Sequence, residues 1–113
     1  MSKQTLRTLV VVTAILTAVI HLYYAFFLIG PTETLGLLFI LNALGYLVLL
    51  LAYLGKLSLL RLSSDMITWA FIAFTAVTIL AWLAMGERSP LAYFTKLDEI
   101  VLLIALFLGR RSA

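Results

Sequence analysis

The chain has 113 residues, of which 65% are hydrophobic and 12% charged, with a formal net charge of +3. Soluble domains carry about 25% charged residues, so this composition excludes an ordinary soluble domain. The chain has no cysteine, which excludes disulfides, thiolate metal sites and cysteine nucleophiles. Its basic residues are scattered near the ends of apolar runs, so the positive charge does not indicate nucleic-acid binding.

Three runs without Asp, Glu, Lys or Arg are each long enough to cross a bilayer: residues 8–32, 34–55 and 66–86. The first helix is predicted over about 5–29, because Gly30 followed by proline is a helix stop. Thr32 is the predicted cap of a second helix over about 33–55. Ser63 or Ser64 is the predicted cap of a third helix over about 65–86.

The final helix, predicted over about 90–109, contains charged residues. Ser89 as N-cap and Pro90 as the first helical residue form a strong start signal. A span of about 30 Å needs roughly 20 helical residues, and the uncharged end of this helix supplies about half of them. A spanning helix that starts at Ser89 therefore places three charged side chains at membrane depth: Lys96, Asp98 and Glu99.

These elements predict an all-α protein, a transmembrane four-helix bundle in a single integral-membrane domain that covers residues 1–113. Short connections favour an up-down-up-down arrangement of sequential helices. Most basic residues fall on one side of the predicted spans: Lys3, Arg7, Lys56, Arg61, Arg110 and Arg111. By the positive-inside rule, we expect a multi-pass protein of the cell membrane with both termini in the cytoplasm.

Polar residues of the four helices fall at one depth. His21 lies nine residues before Gly30, Asn42 nine after Glu33 and Glu99 ten after Ser89, which is roughly 13–15 Å below the outer turns. We name this set the polar layer; it comprises His21, Asn42, Thr75, Thr78, Lys96, Asp98 and Glu99, with Tyr24 and Tyr46 as further binding candidates. The helix-one face that carries it is Ala14, Thr17, Ala18, His21, Tyr24 and Ala25.

Two details of the polar layer stay open at this point. Asp98 and Glu99 are about 100° apart on a helix, so either Glu99 faces inward with Asp98 flanking it, or the reverse. Lys96 either extends toward the membrane surface or pairs with Glu99, which is about one turn away.

The polar layer admits several kinds of chemistry. A His21–Glu99 contact either holds helix one against helix four or takes part in proton transfer, ligand binding or metal binding. As ligands for a metal ion the layer offers His21, Glu99 and either Asp98 or Asn42. The chain has no His-x-x-His or Glu-x-x-His spacing, which metal-binding helices often carry. A quinone or lipid could hydrogen-bond to His21 and a protonated Glu99, whereas haem held by two histidines of this chain is excluded by the single histidine.

Several short motifs point to a resemblance: His21-Leu22-Tyr23, Leu41-Asn42-Ala43-Leu44-Gly45 and Lys96-Leu97-Asp98-Glu99. With the Gly30-Pro31 turn, the chain resembles a family of small four-span membrane proteins common in archaea, whose function is unknown. More distantly, in size and number of spans, it is similar to the DoxX-like membrane proteins. The second resemblance implies an association with quinone-linked oxidation and assigns no catalytic residue.

No nucleotide loop, nucleophile elbow or zinc-protease motif occurs, so we expect no catalytic activity from this chain by itself. The first hypothesis is a small accessory subunit of a larger, respiratory or electron-transfer, membrane complex. In it the polar layer locks the bundle or adjoins a quinone or proton path. The alternatives are a homo-oligomeric proton-coupled transporter or channel, and a small-ligand or metal-binding membrane protein. The expected partners are the bilayer and other membrane subunits or further copies of the chain, with no nucleic acid.

Overall fold

The computed structural model describes residues 2–30, 32–55, 63–85 and 88–112. The described residues form four helices and no strand, which confirms the prediction of an all-α chain. The elements are α1 (Lys3–Tyr23), its π-helical continuation (Tyr24–Ile29), α2 (Thr34–Tyr53), α3 (Ser64–Met85) and α4 (Pro90–Ser112). Pro31, residues 56–62 and residues 86–87, on which some of the sequence predictions fall, lie outside the described residues.

Serine side chains start three of the helices. The Oγ of Ser2 accepts a hydrogen bond from the Thr5 amide, and α1 therefore begins two residues before its predicted start. Ser63 caps α3 through the Met66 amide, and Ser89 caps α4 through the Ala92 amide, each at 3.1 Å. Both of these caps were predicted, because a serine oxygen satisfies an amide that has no partner in the first helical turn.

Three predicted helix ends differ from the structure. Glu33, not Thr32, is the N-cap residue of α2, and it makes no side-chain capping bond. The second helix ends at Tyr53 rather than at Gly55, whose positive φ of 79° belongs to the turn. The last helix continues to Ser112, because Gly109 lies within the helix and is not among the glycines of positive φ.

The first helix lies between α2 and α4, and α3 packs against the same two helices on the other side. At one end of the bundle the Arg7 guanidinium lies 5.9 Å from the centre of the Tyr53 ring. At the other end the Tyr24 hydroxyl lies 3.1 Å from Oγ of Ser89. The core between them consists of Leu6, Val10, Ala14, Ala18, Ala43, Tyr46, Leu50, Phe71, Leu102, Ala105 and Leu106.

The turn between the π-helical segment and α2 requires glycine at two positions. Gly30 has a φ of 112° and donates its amide to the carbonyl of Ala25, five residues earlier. A Cβ at Gly36 would overlap the carbonyl oxygen of Gly30. The two chain segments therefore meet backbone to backbone, which only glycine allows.

Three helical segments are long and apolar enough to cross a membrane: Lys3–Ile29, Thr34–Tyr53 and Asp65–Ala84. These segments indicate a membrane protein. The last helix, α4, is not among them, because its charged residues lower its hydropathy. In the most apolar 18 residues of each segment, the share of buried residues is 50% in the first, 28% in the second and 11% in the third. The third segment, in α3, is therefore the least enclosed by the other helices.

Candidate functional site

Glu99 lies at the centre of a cluster of polar side chains between α1 and α4. Its side chain is 0% exposed. The Thr17 hydroxyl donates a hydrogen bond of 2.6 Å to one carboxylate oxygen, and the Lys96 ammonium donates one of 2.6 Å to the other. Of the two arrangements left open for Lys96, the structure has the pairing with Glu99. We name Thr17, His21, Lys96 and Glu99 the Glu99 cluster.

His21 completes the Glu99 cluster from α1. Its Nδ1 lies 2.7 Å from the backbone carbonyl oxygen of Thr17, and since a carbonyl only accepts, Nδ1 carries a hydrogen. Its Nε2 faces the nearer oxygen of Glu99 at 3.9 Å. A neutral imidazole has one N–H, so Nε2 presents a lone pair to Glu99 when the ring is neutral and a proton when the ring is a cation.

Asp98 flanks the Glu99 cluster. It is buried, at 8% exposed, and its Oδ2 has no hydrogen-bond partner among the residues that the structure describes. The structure thus selects Glu99 as the central carboxylate and Asp98 as the flanking one. The packing of α4 decides this, because only a carboxylate at position 99 reaches Thr17.

A second polar contact joins α2 to α3. The Asn42 amide donates a hydrogen bond of 2.8 Å to the Thr78 hydroxyl, which itself donates to the Phe74 carbonyl. Thr75 is fully buried and donates to the carbonyl of Phe71 in its own helix. The predicted polar layer is therefore divided between two helix pairs, with Asn42, Thr75 and Thr78 outside the Glu99 cluster.

Tyr46 lies between these two groups. Its ring centre is 6.2 Å from that of His21 and 4.8 Å from that of Phe74. Its side chain is completely buried, and its hydroxyl lies close to Thr75 and Thr78 without a direct hydrogen bond of standard geometry. Tyr46 therefore fills the centre of the bundle mainly by aromatic packing.

Tyr24 lies near the end of the bundle where α4 begins. Its hydroxyl contacts Oγ of Ser89, the N-cap of α4. Its ring packs edge-on against Phe39, which also contacts the ring of His21. The contact with Ser89 fastens the π-helical segment to the start of α4.

Sequence reasoning placed Thr17 on the inward face of helix one and did not include it among the site residues. Its hydroxyl nevertheless makes the hydrogen bond that joins α1 to Glu99. The available signal was its position four residues before His21, which puts both side chains on one helix face. The π-helical segment has no comparable sequence signal.

The arrangement has the chemistry of a closed ion pair. Lys96 and Glu99 carry opposite charges and bond each other directly, and the remaining donor to Glu99 is a hydroxyl of the same chain.

Within the described ranges, no three His, Cys, Asp or Glu side chains are grouped to hold a metal ion. A groove of about 140 Å³ between α1 and α4 is lined only by apolar residues: Leu6, Leu9, Val101, Ile104, Ala105 and Leu108.

Comparison with known proteins gives one family match. A family model whose description is "Family of unknown function (DUF7475)" matches residues 1–108. Searches among curated proteins and among solved structures found no significant match.

Proposed function

We propose that this chain, which belongs to the DUF7475 family, is a small accessory subunit of a larger membrane complex. It crosses the cell membrane four times in an up-down-up-down arrangement, with both termini in the cytoplasm. A respiratory or other electron-transfer complex is the class that we propose first. In such a complex the polar layer either locks the bundle or adjoins a quinone or proton path.

The closed environment of Glu99 carries this proposal. Both carboxylate oxygens are occupied by donors of the same chain, Thr17 and Lys96, and the carboxylate is fully buried. A binding or transport site needs polar groups that reach a ligand, whereas these groups satisfy one another. A satisfied buried network instead fixes one arrangement of the helices, which is what a subunit needs when other chains pack against it.

The fourth span is supported by the electrostatics of the Glu99 cluster. Charged groups at membrane depth are costly unless they pair and face a bundle interior. Lys96 and Glu99 form such a pair, and both are buried against α1. Arg7 near the start of α1 contacts Tyr53 at the end of α2, and Tyr24 just after α1 contacts Ser89 at the start of α4. Both contacts are those of antiparallel neighbours, so they fit the alternating arrangement.

A proton-coupled transporter or channel formed by several copies is the second candidate. It is supported by the 3.9 Å approach of Nε2 of His21 to Glu99, which a proton on the ring would convert into an ion pair. The two proposals differ in what happens to purified protein in liposomes. Only the transporter gives a pH-dependent flux, and His21→Ala abolishes that flux.

The native mass of the protein, extracted gently from its own membranes, tests the first proposal. We expect a large assembly with further membrane chains, and an absorption spectrum that identifies any pigmented partner. A small colourless particle that contains only this chain would contradict the subunit role. The flux assay on liposomes then becomes the decisive experiment.

Orientation can be tested without interference, because the chain contains no cysteine. Gln4→Cys and Thr32→Cys introduce single thiols at exposed positions on opposite sides of the first predicted span. We expect a membrane-impermeant maleimide added to intact cells to label Thr32→Cys and to spare Gln4→Cys until the cells are opened. The reverse pattern would contradict the proposed orientation.

A further inference from the structure

The buried charges of the bundle do not cancel. The buried charged side chains of the described chain are Lys96, Asp98 and Glu99, with His21 and Tyr46 as buried titratable side chains near them. The sides of α2 and α3 that face this region contribute the neutral groups Asn42, Tyr46, Thr75 and Thr78. With both carboxylates ionised and His21 neutral, the region therefore carries one uncompensated negative charge.

The uncompensated charge falls on Asp98 rather than on Glu99. Glu99 accepts hydrogen bonds from Lys96 and from Thr17, at 2.6 Å each. The Lys96 ammonium is therefore already committed to Glu99. Oδ2 of Asp98 is buried and accepts no hydrogen bond from any described residue. An ionised carboxylate in that environment has lost its water without gaining a partner, which is strongly unfavourable.

A proton is the smallest cation that can neutralise Asp98 in this arrangement. Oδ2 of Asp98 has almost no accessible surface, so an ammonium group of another chain or a hydrated metal ion does not reach that oxygen. No cluster of ligands suited to a metal surrounds it within the described part of the chain. A proton needs no additional space. It also removes the whole charge, because a protonated carboxyl group is neutral.

We propose that Asp98 is a proton-binding site of the bundle, a neutral carboxylic acid at neutral pH that takes up and releases a single proton. Protonation adds one proton to a carboxylate oxygen and changes no other bond. The protonated form gives the buried region no net charge, and loss of the proton leaves one negative charge beside Glu99. The net charge of the bundle interior therefore depends on whether Asp98 holds a proton.

This inference rests on the proposed placement of α4 in the membrane, and it does not depend on the accessory role. Aspartate is suited to selective study here, because the chain contains only Asp65 and Asp98. Asp65 is exposed in the first turn of α3, so it serves as an internal reference for an exposed carboxyl group. Labelling aspartate alone with ¹³C therefore distinguishes the two side chains in the unmodified protein.

Infrared spectroscopy of the labelled, full-length protein in phosphatidylcholine vesicles is the test. We expect the carbonyl band of a protonated carboxylic acid at neutral pH, moved by the aspartate label and by transfer to D₂O, and lost at alkaline pH. The band should disappear in Asp98→Asn and remain in Asp65→Asn. It should weaken or disappear in Glu99→Gln, because Lys96 is then left to balance an ionised Asp98. Asp98→Glu should retain a band that the aspartate label no longer moves.

Two results would overturn the inference. One is the absence of a carboxylic-acid band from the wild-type protein at neutral pH, a result that needs no variant and so no assumption about folding. The other is a band that ignores the aspartate label and is lost in Glu99→Gln. If gentle extraction from native membranes gives a particle that contains only this chain, while the Asp98 band is present in the vesicles, the subunit role fails and the proton site stands.

Discussion

The Thr17 hydroxyl donates a hydrogen bond of 2.6 Å to Glu99, a residue 82 positions further along the chain, and this contact joins α1 to α4. One turn earlier, Thr13 is also buried, but its hydroxyl donates to the Leu9 carbonyl of the same helix. The two buried threonines of α1 therefore have different roles. Of the two, Thr17 bonds to α4 and Thr13 bonds within its own helix.

This difference predicts that Thr17→Val destabilises the protein much more than Thr13→Val. Valine keeps the shape of threonine and removes the hydroxyl, so Glu99 would lose one of its two donors. Hydrogen bonds to charged groups contribute about 1.5–3 kcal/mol. We expect that loss for Thr17→Val and only ~0.5 kcal/mol for Thr13→Val, because the helix already supplies a partner for the Leu9 carbonyl.

The free energies of unfolding can be measured in mixed micelles as the fraction of denaturing detergent is raised. Thr13→Val serves as the matched control, since it makes the same chemical change at a buried site on the same helix. Equal losses in the two variants would show that the contact between Thr17 and Glu99 contributes nothing specific.

The ion pair between Lys96 and Glu99 gives a second prediction. Removing one partner of a buried pair leaves the other charge uncompensated and typically costs about 3–5 kcal/mol. We expect Glu99→Gln and Lys96→Met each to fall in that range, and the double variant to lose clearly less than the sum. A coupling energy of about 1–3 kcal/mol between the two sites is the expected result of the double-mutant cycle.

The control for this cycle pairs Glu99→Gln with Thr95→Val. Thr95 is buried on the same helix, and its hydroxyl donates to the Leu91 carbonyl rather than to Glu99. The loss of unfolding free energy in Thr95→Val should therefore add to the loss in Glu99→Gln. Additive losses for the Lys96 and Glu99 variants as well would rule out a direct energetic contact between those two side chains.

Much of this arrangement follows from local sequence rules. Long apolar runs and serine caps predict the four helices, and Ser63 and Ser89 act as caps as their positions suggest. The spacing of three residues between Lys96 and Glu99 allows their pairing, and the structure has it. These features depend on the geometry of single helices, which the sequence determines directly.

Other features depend on how the helices are rotated against one another. Periodicity places Asp98 and Glu99 about 100° apart but does not tell which of them reaches Thr17. The division of the polar layer into the Glu99 cluster and the contact of Asn42 with Thr78 is a further result of packing. The close approach of Gly36 to Gly30, at the end of the π-helical segment, is likewise a contact between different elements.

The contact between Asn42 and Thr78 gives a third prediction. Hydrogen bonds between membrane helices contribute about 0.6 kcal/mol on average in double-mutant cycles. We expect a coupling of that size between Asn42→Leu and Thr78→Val, measured by unfolding in mixed micelles. Thr75→Val is the control, because the Thr75 hydroxyl donates within its own helix. A coupling of Asn42 with Thr75 as large as that with Thr78 would contradict the hydrogen bond seen here.

Glycine substitutions give a fourth prediction, which tests the turn that leads into α2. A Cβ at Gly36 would overlap the Gly30 carbonyl oxygen, whereas a Cβ at Gly109 in α4 would meet nothing within 4 Å. Alanine is favoured over glycine within helices by about 0.5–1 kcal/mol, so Gly109→Ala should be neutral or stabilising. Gly36→Ala should lose about 1–3 kcal/mol or more, since the obstructing atom belongs to the backbone and cannot turn aside.

Gly45→Ala is expected to fall between these two variants. Its Cβ would lie 2.5 Å from the end of the Phe74 ring, which can rotate at the expense of its contact with Tyr46. The order of stability that we expect is therefore Gly109→Ala, then Gly45→Ala, then Gly36→Ala, measured as free energies of unfolding in the same micelles. If Gly36→Ala were as stable as Gly109→Ala, the start of α2 could not pack directly against the end of the π-helical segment.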